Sequence, residues 1–158
     1  MPTGRPTYET AENRAEQRRI IKAYCNYFGY TYNELPELAR ADYEVFGDGD
    51  LVAYAEVKRR HIRYFQYDTI MLSEHKVRNL LDREVPSLFI VGFKDALGWV
   101  RLVEDHLSTS RYGGRTAQTR DEWDEEDVCH IPRSNFTAAP QDSDGGHMRY
   151  SDTEWGPN

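Results

Sequence analysis

Residues 41–60, ADYEVFGDGDLVAYAEVKRR, contain two runs in which apolar and polar side chains alternate on either side of a Gly-Asp-Gly segment. Alternation with a period of two is typical of β-strands, and a glycine-containing turn between two such runs is typical of a β-hairpin. The apolar side chains can share one face only if the numbers of paired residues add to an even value, because a slip of one residue turns a whole strand over. These apolar residues are Tyr43, Val45, Leu51, Ala53, Ala55 and Val57.

The length of the hairpin loop decides which polar residues come together. A three-residue loop over 48–50 gives paired numbers that add to 98, and it places Asp42 directly opposite Glu56 with Lys58 on the same face. A two-residue turn over 48–49 would give 97 and would turn Asp42 to the other face. Packing of the apolar residues therefore predicts the three-residue loop and a face with two carboxylates and one ammonium group.

The sequence around this hairpin predicts an α/β domain with a mixed sheet flanked by helices. Helical spacing of apolar residues before Gly29 predicts a first helix, and Ser73 is a good N-cap for a second helix. A mostly apolar run after Pro86 predicts a buried strand with a hairpin partner. The predicted order of helix, three-strand meander, helix, strand and strand covers 8–28, 30–60, 73–84, 87–93 and 98–103.

The 158 residues divide unevenly in charge. Residues 1–103 carry 15 Lys and Arg and 15 Asp and Glu, whereas residues 104–158 carry five and 12, so the whole net charge of −7 lies in the last third. That third is also poor in aliphatic residues, which is typical of a weakly packed segment. We therefore predict a folded domain over 1–104 and an acidic C-terminal extension over 105–158, with an edge strand within 127–136 and a flexible remainder.

Cysteine usage and the length of the apolar runs indicate the compartment in which the protein is expected. Cys25 and Cys129 lie far apart and do not have the spacing of a disulfide framework, which is typical of a reducing compartment. No apolar run is long enough to cross a membrane, so we expect a soluble cytoplasmic protein without a membrane partner. The Cys129-His130 pair is too sparse for a zinc site.

The polar face of the hairpin has the components of a hydrolytic metal site. Two neighbouring carboxylates repel each other unless a cation lies between them, and an oxygen-only site suits Mg²⁺, which keeps several waters and binds phosphate. A lysine beside them can position the attacking water and stabilise phosphate charge, as phosphodiester hydrolysis requires. A cross-strand salt bridge on a solvated face is the alternative, and Glu44 is the rival of Asp42 as a ligand.

These residues resemble the PD-(D/E)xK nuclease superfamily, which includes restriction endonucleases and archaeal and phage Holliday-junction resolvases. By position, the Asp of the motif falls on Asp42 and its Glu-x-Lys on Glu56 and Lys58, while Ala41 replaces the usual Pro. The resemblance implies that the backbone carbonyl of Val57 is a further metal ligand. It also implies a restriction-endonuclease-like α-β-β-β-α-β core over about residues 10–103, in agreement with the element order above.

The activity implied by this resemblance is that of a Mg²⁺-dependent DNA endonuclease, with Mn²⁺ as a substitute and with structure selectivity like that of a resolvase. Resolvase-like members place a Glu in the first helix, which would be Glu16, with Glu12 and Glu9 as rivals. A non-catalytic nucleic-acid-binding or protein-interaction module on the same fold is the alternative. We expect DNA as the partner in a bacterial or phage-infected cell, and homodimer formation stays open.

A basic and aromatic segment directly follows the predicted site. Residues 58–67, KRRHIRYFQY, interleave cations with aromatic rings, and nucleic-acid binding uses this mixture for phosphate contact and base stacking. We expect Arg59, Arg60 and Arg63 to contact nucleic acid. Lys76, one turn into the second predicted helix, is expected to do the same, because similar nucleases often carry a Lys or Gln there. An ordinary basic surface is the alternative.

Overall fold

The computed structural model describes residues 11–112 and 127–140. Two helices and nine strands form these parts, together with short 3₁₀-helices at Glu104–Thr109 and Arg133–Asn135. In chain order the elements are α1 (Ala11–Phe28), β1 (Thr31–Glu34), β2 (Tyr43–Gly47), β3 (Asp50–Arg59), β4 (Thr69–Ser73), α2 (Glu74–Leu81), β5 (Ser87–Gly92), β6 (Ala96–Arg101), β7 (Ser110–Tyr112), β8 (Asp127–Pro132) and β9 (Thr137–Pro140).

The strands form two sheets. The main sheet has the order β1-β2-β3-β5-β6-β9, in which β3 and β5 are parallel and every other neighbouring pair is antiparallel. A small antiparallel sheet has the order β4-β8-β7. The predicted α/β class with a mixed sheet is confirmed, and the predicted core order corresponds to α1, β1, β2, β3, α2 and β5 with β4 inserted.

The hairpin between β2 and β3 contains a β-bulge that the sequence analysis missed. Its turn is the two-residue form, since Asp48 and Gly49 have φ angles of 52° and 85°, as a type I′ turn requires. Paired residue numbers add to 97 next to this turn, and they add to 98 from the Val45–Ala53 pair onward because Val52 has no partner. The predicted three-residue loop is therefore wrong. The bulge nevertheless gives the same register beyond Val52 that the three-residue loop predicted.

Helix α1 covers one face of the main sheet. Ala53, Ala55 and Val57 of β3 alternate along the strand, point to this face and are buried. Buried side chains of α1 pack against them, together with residues of β2, β5 and β6. This cluster comprises Ile20, Ile21, Ala23, Tyr24, Cys25, Tyr43, Val45, Ala53, Ala55, Val57, Ile90 and Leu97.

The opposite face of the main sheet packs against α2 and the small sheet. Phe89 and Val91 of β5 form a second apolar cluster there with Val77 and Leu80 of α2. Residues 54, 56 and 58 alternate with the α1-facing residues of β3, so they point to this second face. The predicted carboxylate and lysine of β3 therefore lie beside an apolar core.

Helix α2 is shorter than predicted. It ends at Leu81 rather than Glu84. The Ser87 hydroxyl donates a hydrogen bond to the Leu80 carbonyl at 2.7 Å, and the Tyr54 amide donates to the Pro86 carbonyl at 3.0 Å. The chain must therefore reverse directly after Leu81 to enter β5, and the residue before a proline disfavours helix.

The segment after residue 104 contributes to both sheets. β8 lies between β4 and β7, so the prediction of an edge strand within 127–136 is wrong in its position, while β9 forms an edge of the main sheet. Cys129 and Ile131 of β8 have no exposed surface. A domain boundary at 104/105 stays a prediction, since nine of the 12 acidic residues after residue 103 fall in 113–126 and 141–158, outside the described residues.

Within the described ranges, no helix is both long and apolar enough to span a membrane.

Candidate active site

Asp42 lies directly before β2 and bonds to the middle of β3. Its backbone amide donates to the Ala55 carbonyl at 3.0 Å, and its side-chain Oδ2 accepts a hydrogen bond from the Val57 amide at 2.9 Å. The carboxylate thus takes the position of a backbone acceptor for β3, just before β2 begins. This double attachment fixes the side chain beside the strand that carries Glu56.

The Val57 carbonyl is directed to the same edge of β3 as Asp42. β5 pairs with the other edge, where the Tyr54 amide bonds to Pro86 and the Arg60 amide bonds to Gly92. Since the amide and carbonyl of one strand residue point to the same edge, those of Val57 both point away from β5. A backbone oxygen therefore accompanies the carboxylate of Asp42 at this point.

Glu56 is the buried centre of the site. It has no exposed surface, and neither of its carboxylate oxygens has a hydrogen-bond partner within the described residues. Two ammonium groups lie at ion-pair distance, with Lys58 Nζ 3.4 Å from Oε2 and Lys76 Nζ 3.5 Å from Oε1. A buried carboxylate is costly unless it is paired and hydrogen-bonded, so the lysines compensate its charge while its lone pairs remain available to another cation.

The two carboxylates perturb each other. Burial first, and then the negative charge of Glu56, raise the pKa of Asp42 from the ordinary 3.8 to about 6, although the Val57 amide and both lysines act in the opposite direction. A carboxyl group whose ionisation is opposed by a neighbouring carboxylate is stabilised in its charged form by a cation placed between the two. The electrostatics of the site therefore favour cation binding.

The lysines of the site are partly exposed to solvent. The side chain of Lys58 is 32% exposed and that of Lys76 is 37% exposed, in contrast to the fully buried Glu56 between them. Two carboxylates and two ammonium groups nearly cancel in charge. A bound divalent cation would give this pocket a net positive charge, which attracts a phosphodiester.

The oxygen donors present fit Mg²⁺. Across 11–112 and 127–140, no three Asp, Glu, His or Cys side chains gather closely enough to hold a metal by themselves. Mg²⁺ does not require such a cage, because it usually binds through one or two carboxylates and keeps several waters. Asp42, Glu56 and the Val57 carbonyl supply hard oxygens, and the unsatisfied oxygens of Glu56 are available for this role.

The predicted first helix supplies the other candidate carboxylates, Glu16 and its rivals Glu12 and Glu9. Glu16 lies 4.0 Å from Arg59 Nε, and Arg59 alternates with Glu56 along β3, so the pair belongs to the α1 side of the sheet. Glu12 is exposed in the first turn of α1, and Glu9 lies outside the described residues. Glu16 is thus paired with an arginine, and a first-helix ligand of the metal stays a prediction.

Glu44, the rival of Asp42, is committed elsewhere. Asn33 of β1 donates a hydrogen bond from Nδ2 to Glu44 Oε1 at 3.1 Å, and Glu44 pairs with Tyr54 across the hairpin. Asp42, by contrast, is bonded to the amide beside Glu56. The geometry therefore favours Asp42 as the partner carboxylate.

The arginines after the site differ in what they contact. Arg59 Nη1 donates to the Phe93 carbonyl at 3.0 Å, and Arg60 Nη2 donates to the Met71 carbonyl at 3.0 Å. Arg63 has a side chain that is 74% exposed and lies 3.9 Å from Asp95. Arg59 and Arg60 thus connect segments of the fold, whereas Arg63 is directed toward solvent.

Sequence reasoning missed one cation on the face of the site. The guanidinium carbon of Arg83 lies 4.4 Å from the centre of the Tyr54 ring, and Arg83 Nε is buried without an acceptor in the described residues. Tyr54 precedes Glu56 by two residues on the same face of β3. Arg83 follows α2, so only the tertiary packing of α2 reveals its position.

A hairpin and a crossover helix bring two carboxylates and two lysines together beside the mixed sheet, as the restriction-endonuclease-like fold predicted. Residues 3–139 match the family described as "Phage putative PDDEXK endonuclease". The chain therefore belongs to this PD-(D/E)xK nuclease family, as its hairpin motif predicted. No curated protein and no solved structure matches it.

Proposed function

We propose that this protein is a Mg²⁺-dependent endonuclease that hydrolyses phosphodiester bonds in DNA. The observation that supports this most strongly is the environment of Glu56, which is fully buried between Lys58 and Lys76. A salt bridge on a solvated sheet face would leave the carboxylate exposed. Family membership supports the same activity.

The residues of the site divide the chemistry between them. Asp42, Glu56 and the Val57 carbonyl would hold Mg²⁺, which supplies Lewis-acid stabilisation of the phosphate charge when bound. Lys58 positions a water molecule for attack on phosphorus. The attack breaks the bond from phosphorus to the 3′ oxygen, which takes up a proton, so the products carry 5′-phosphate and 3′-hydroxyl ends.

Two further cations bind the substrate in this proposal. Lys76 compensates the second oxygen of Glu56 and presents its partly exposed ammonium group to the phosphate. The guanidinium carbon of Arg83 lies 4.4 Å from the centre of the Tyr54 ring, and in this proposal its terminal N–H groups contact a neighbouring phosphate. Both cations lie on the same side of the sheet as Glu56.

A non-catalytic module on the same fold is the competing proposal. Such a module gains nothing from a buried carboxylate with two lysines, because well-packed apolar residues in the same place are often equally stable or more stable. The presence of all four charged groups therefore favours catalysis. Selectivity for branched DNA, as in resolvases, and action as a homodimer are finer proposals that follow from the resemblance.

Nicking of supercoiled plasmid DNA tests the activity. We expect nicking in Mg²⁺ or Mn²⁺, none in excess chelator, and a loss of ~10²–10³-fold in Glu56→Gln. Glu44→Gln is the matched control, because it alters a neighbouring carboxylate that is bonded to Asn33, and it should retain activity. Full activity in chelator, or a Glu56→Gln variant as active as the control, would refute the proposal.

A further inference from the structure

We infer that the loop after β3 binds unpaired nucleotides beside the cleavage site, so the preferred substrate is DNA with a single-stranded stretch next to a duplex. The inference rests on the proposed nuclease function and specifies its substrate class. It concerns one surface, the aromatic–arginine platform, which comprises Arg63, Phe65, Tyr67 and Arg133.

Two aromatic rings of the platform are exposed. Phe65 is 41% exposed and Tyr67 is 55% exposed, although they belong to a loop whose other aromatic residue, Tyr64, is buried. The guanidinium carbon of Arg133 lies 4.5 Å from the centre of the Phe65 ring. Together with the solvent-directed Arg63, the surface combines accessible rings with positive charge.

The platform is held in place by hydrogen bonds of its neighbours. The Tyr64 amide donates to Asp95 Oδ1 at 2.9 Å, and its hydroxyl donates to the Phe136 carbonyl at 3.3 Å. The Arg63 amide donates to Gln66 Oε1 at 3.0 Å. These contacts order the loop before any ligand binds, which reduces the entropic cost of binding.

The platform continues the strand that carries the site. β3 contains Glu56 and Lys58 and ends at Arg59, directly before the loop. With a rise of about 3.3 Å per residue, Arg60 lies about 13 Å from Glu56 along the strand. A DNA strand whose phosphate occupies the site would therefore extend its next few nucleotides over the platform.

The chemistry of the platform favours unpaired bases. Aromatic side chains that bind single strands stack on the faces of successive bases, and arginines add cation–π and phosphate contacts. Base faces inside a duplex are covered by their neighbours and cannot reach a protein ring. Cations alone would suffice for duplex DNA, so the exposed rings are explained by contact with bases.

Binding of labelled DNA by the full-length chain tests this inference in Ca²⁺, which we expect to support binding without cleavage. The probes are a single-stranded oligonucleotide, its blunt duplex, and a duplex with single-stranded arms. We expect Tyr67→Ala and Phe65→Leu to lose on the order of tenfold in affinity for the two probes with unpaired bases and to retain duplex affinity. Tyr27→Ala is the matched control, because Tyr27 is 48% exposed on α1 and should have no effect.

The possible failures are distinguishable. An equal loss on all three probes, or no loss on any, would overturn the platform while leaving the nuclease proposal intact, because plasmid nicking and its dependence on Glu56 are measured separately. Absence of binding by the wild-type chain to every probe would likewise overturn the platform, whereas absence of plasmid nicking would overturn the nuclease proposal. Thermal unfolding shows whether each variant is folded. If Phe65→Leu is unfolded, the binding data for Tyr67→Ala alone test the platform.

Discussion

Glu56 has no exposed surface, yet it lies between ammonium groups that come from a strand and from a helix. The two lysines are not equivalent by position. Lys58 follows Glu56 on the same rigid strand, whereas Lys76 reaches the site from α2. We therefore assign the attacking water to Lys58 and substrate phosphate to Lys76.

Lys58→Met should separate metal binding from turnover. It removes a cation and keeps both carboxylates, so Mg²⁺ affinity should persist or increase while single-turnover cleavage falls by ~10²–10³-fold. Lys58→Arg should restore little of this activity, because its planar guanidinium group stays protonated and cannot place or accept a proton as an ammonium group can. Calorimetry and cleavage across a Mg²⁺ titration measure both quantities, with the exposed Lys94→Met as control. Cleavage by Lys58→Met within a few-fold of wild type would exclude this role.

Asp42→Asn should stabilise the protein in chelator at neutral pH. The folded-state pKa of Asp42 is about 6 and the ordinary value is 3.8, so the folded state binds this proton more tightly and wild-type stability falls as pH rises from 3.8 to about 6. Asparagine does not ionise, so the variant does not lose stability in this pH range. Its side-chain oxygen can still accept the hydrogen bond from the Val57 amide. The free energy of unfolding of the variant should equal that of wild type below about pH 4. Above about pH 7 it should be higher than that of wild type, by at most about 3 kcal/mol.

Urea unfolding at several pH values measures this difference. Asp82→Asn is the control, because the Asp82 side chain is 86% exposed and its removal should leave the pH profile unchanged. A constant difference between Asp42→Asn and wild type at all pH values would show that the pKa of Asp42 is not raised by burial and by the charge of Glu56.

At the scale of elements, the hairpin carries the site because its bulge corrects the register of its turn. The Asp48-Gly49 turn alone would direct Asp42 away from Glu56, and the unpaired Val52 reverses that effect one pair later. The bulge thus serves both packing and chemistry.

Deletion of Val52 should leave the site in place. The deletion removes the unpaired residue and keeps Val45 opposite Ala53 and Tyr43 opposite Ala55, so a regular hairpin with the same turn retains the facing of Asp42 and Glu56. We therefore expect Mg²⁺ affinity, measured by calorimetry, to persist. Gly49→Ala is the comparison for stability, since it strains a residue at φ 85° and costs roughly 1–2 kcal/mol while leaving the bulge in place. Loss of metal affinity in a folded deletion variant would show that the bulge itself positions Asp42.

The same elements show what a sequence can reveal. Alternation in residues 41–60 predicted the shared face of Asp42, Glu56 and Lys58, because apolar packing decides strand facing locally. It could not reveal the bulge, since a two-residue turn plus one unpaired residue gives the same facing as a three-residue loop. Arg83 and the β4-β8-β7 sheet depend on contacts between distant segments, and no local period encodes them.

For the whole molecule, the described residues after 104 are part of the fold. β8 fills the centre of the small sheet, and β9 closes one edge of the main sheet beside β6. Phe136 between them contacts the rings of Phe89 and Phe93 at 6.0 and 6.3 Å between ring centres. The family match also extends through this segment to residue 139. Strands after residue 104 therefore stabilise the layer that covers the Glu56 face.

Two truncations should separate the structural part of this segment from its charge. Removal of everything after Leu107 deletes β7, β8 and β9, which exposes the apolar side chains of α2, β4 and β6 and should abolish cooperative unfolding. Removal of 141–158 keeps every described element and deletes a net charge of −3, so the fold should persist. Loss of this negative charge should also raise non-specific DNA affinity, most clearly at about 0.01 M salt, where the Debye length is about 30 Å. Circular dichroism during heating measures the folding of both truncated chains, and DNA binding at two salt concentrations measures the effect of charge. A cooperative transition in the chain that ends at Leu107 would show that the small sheet is dispensable for the core.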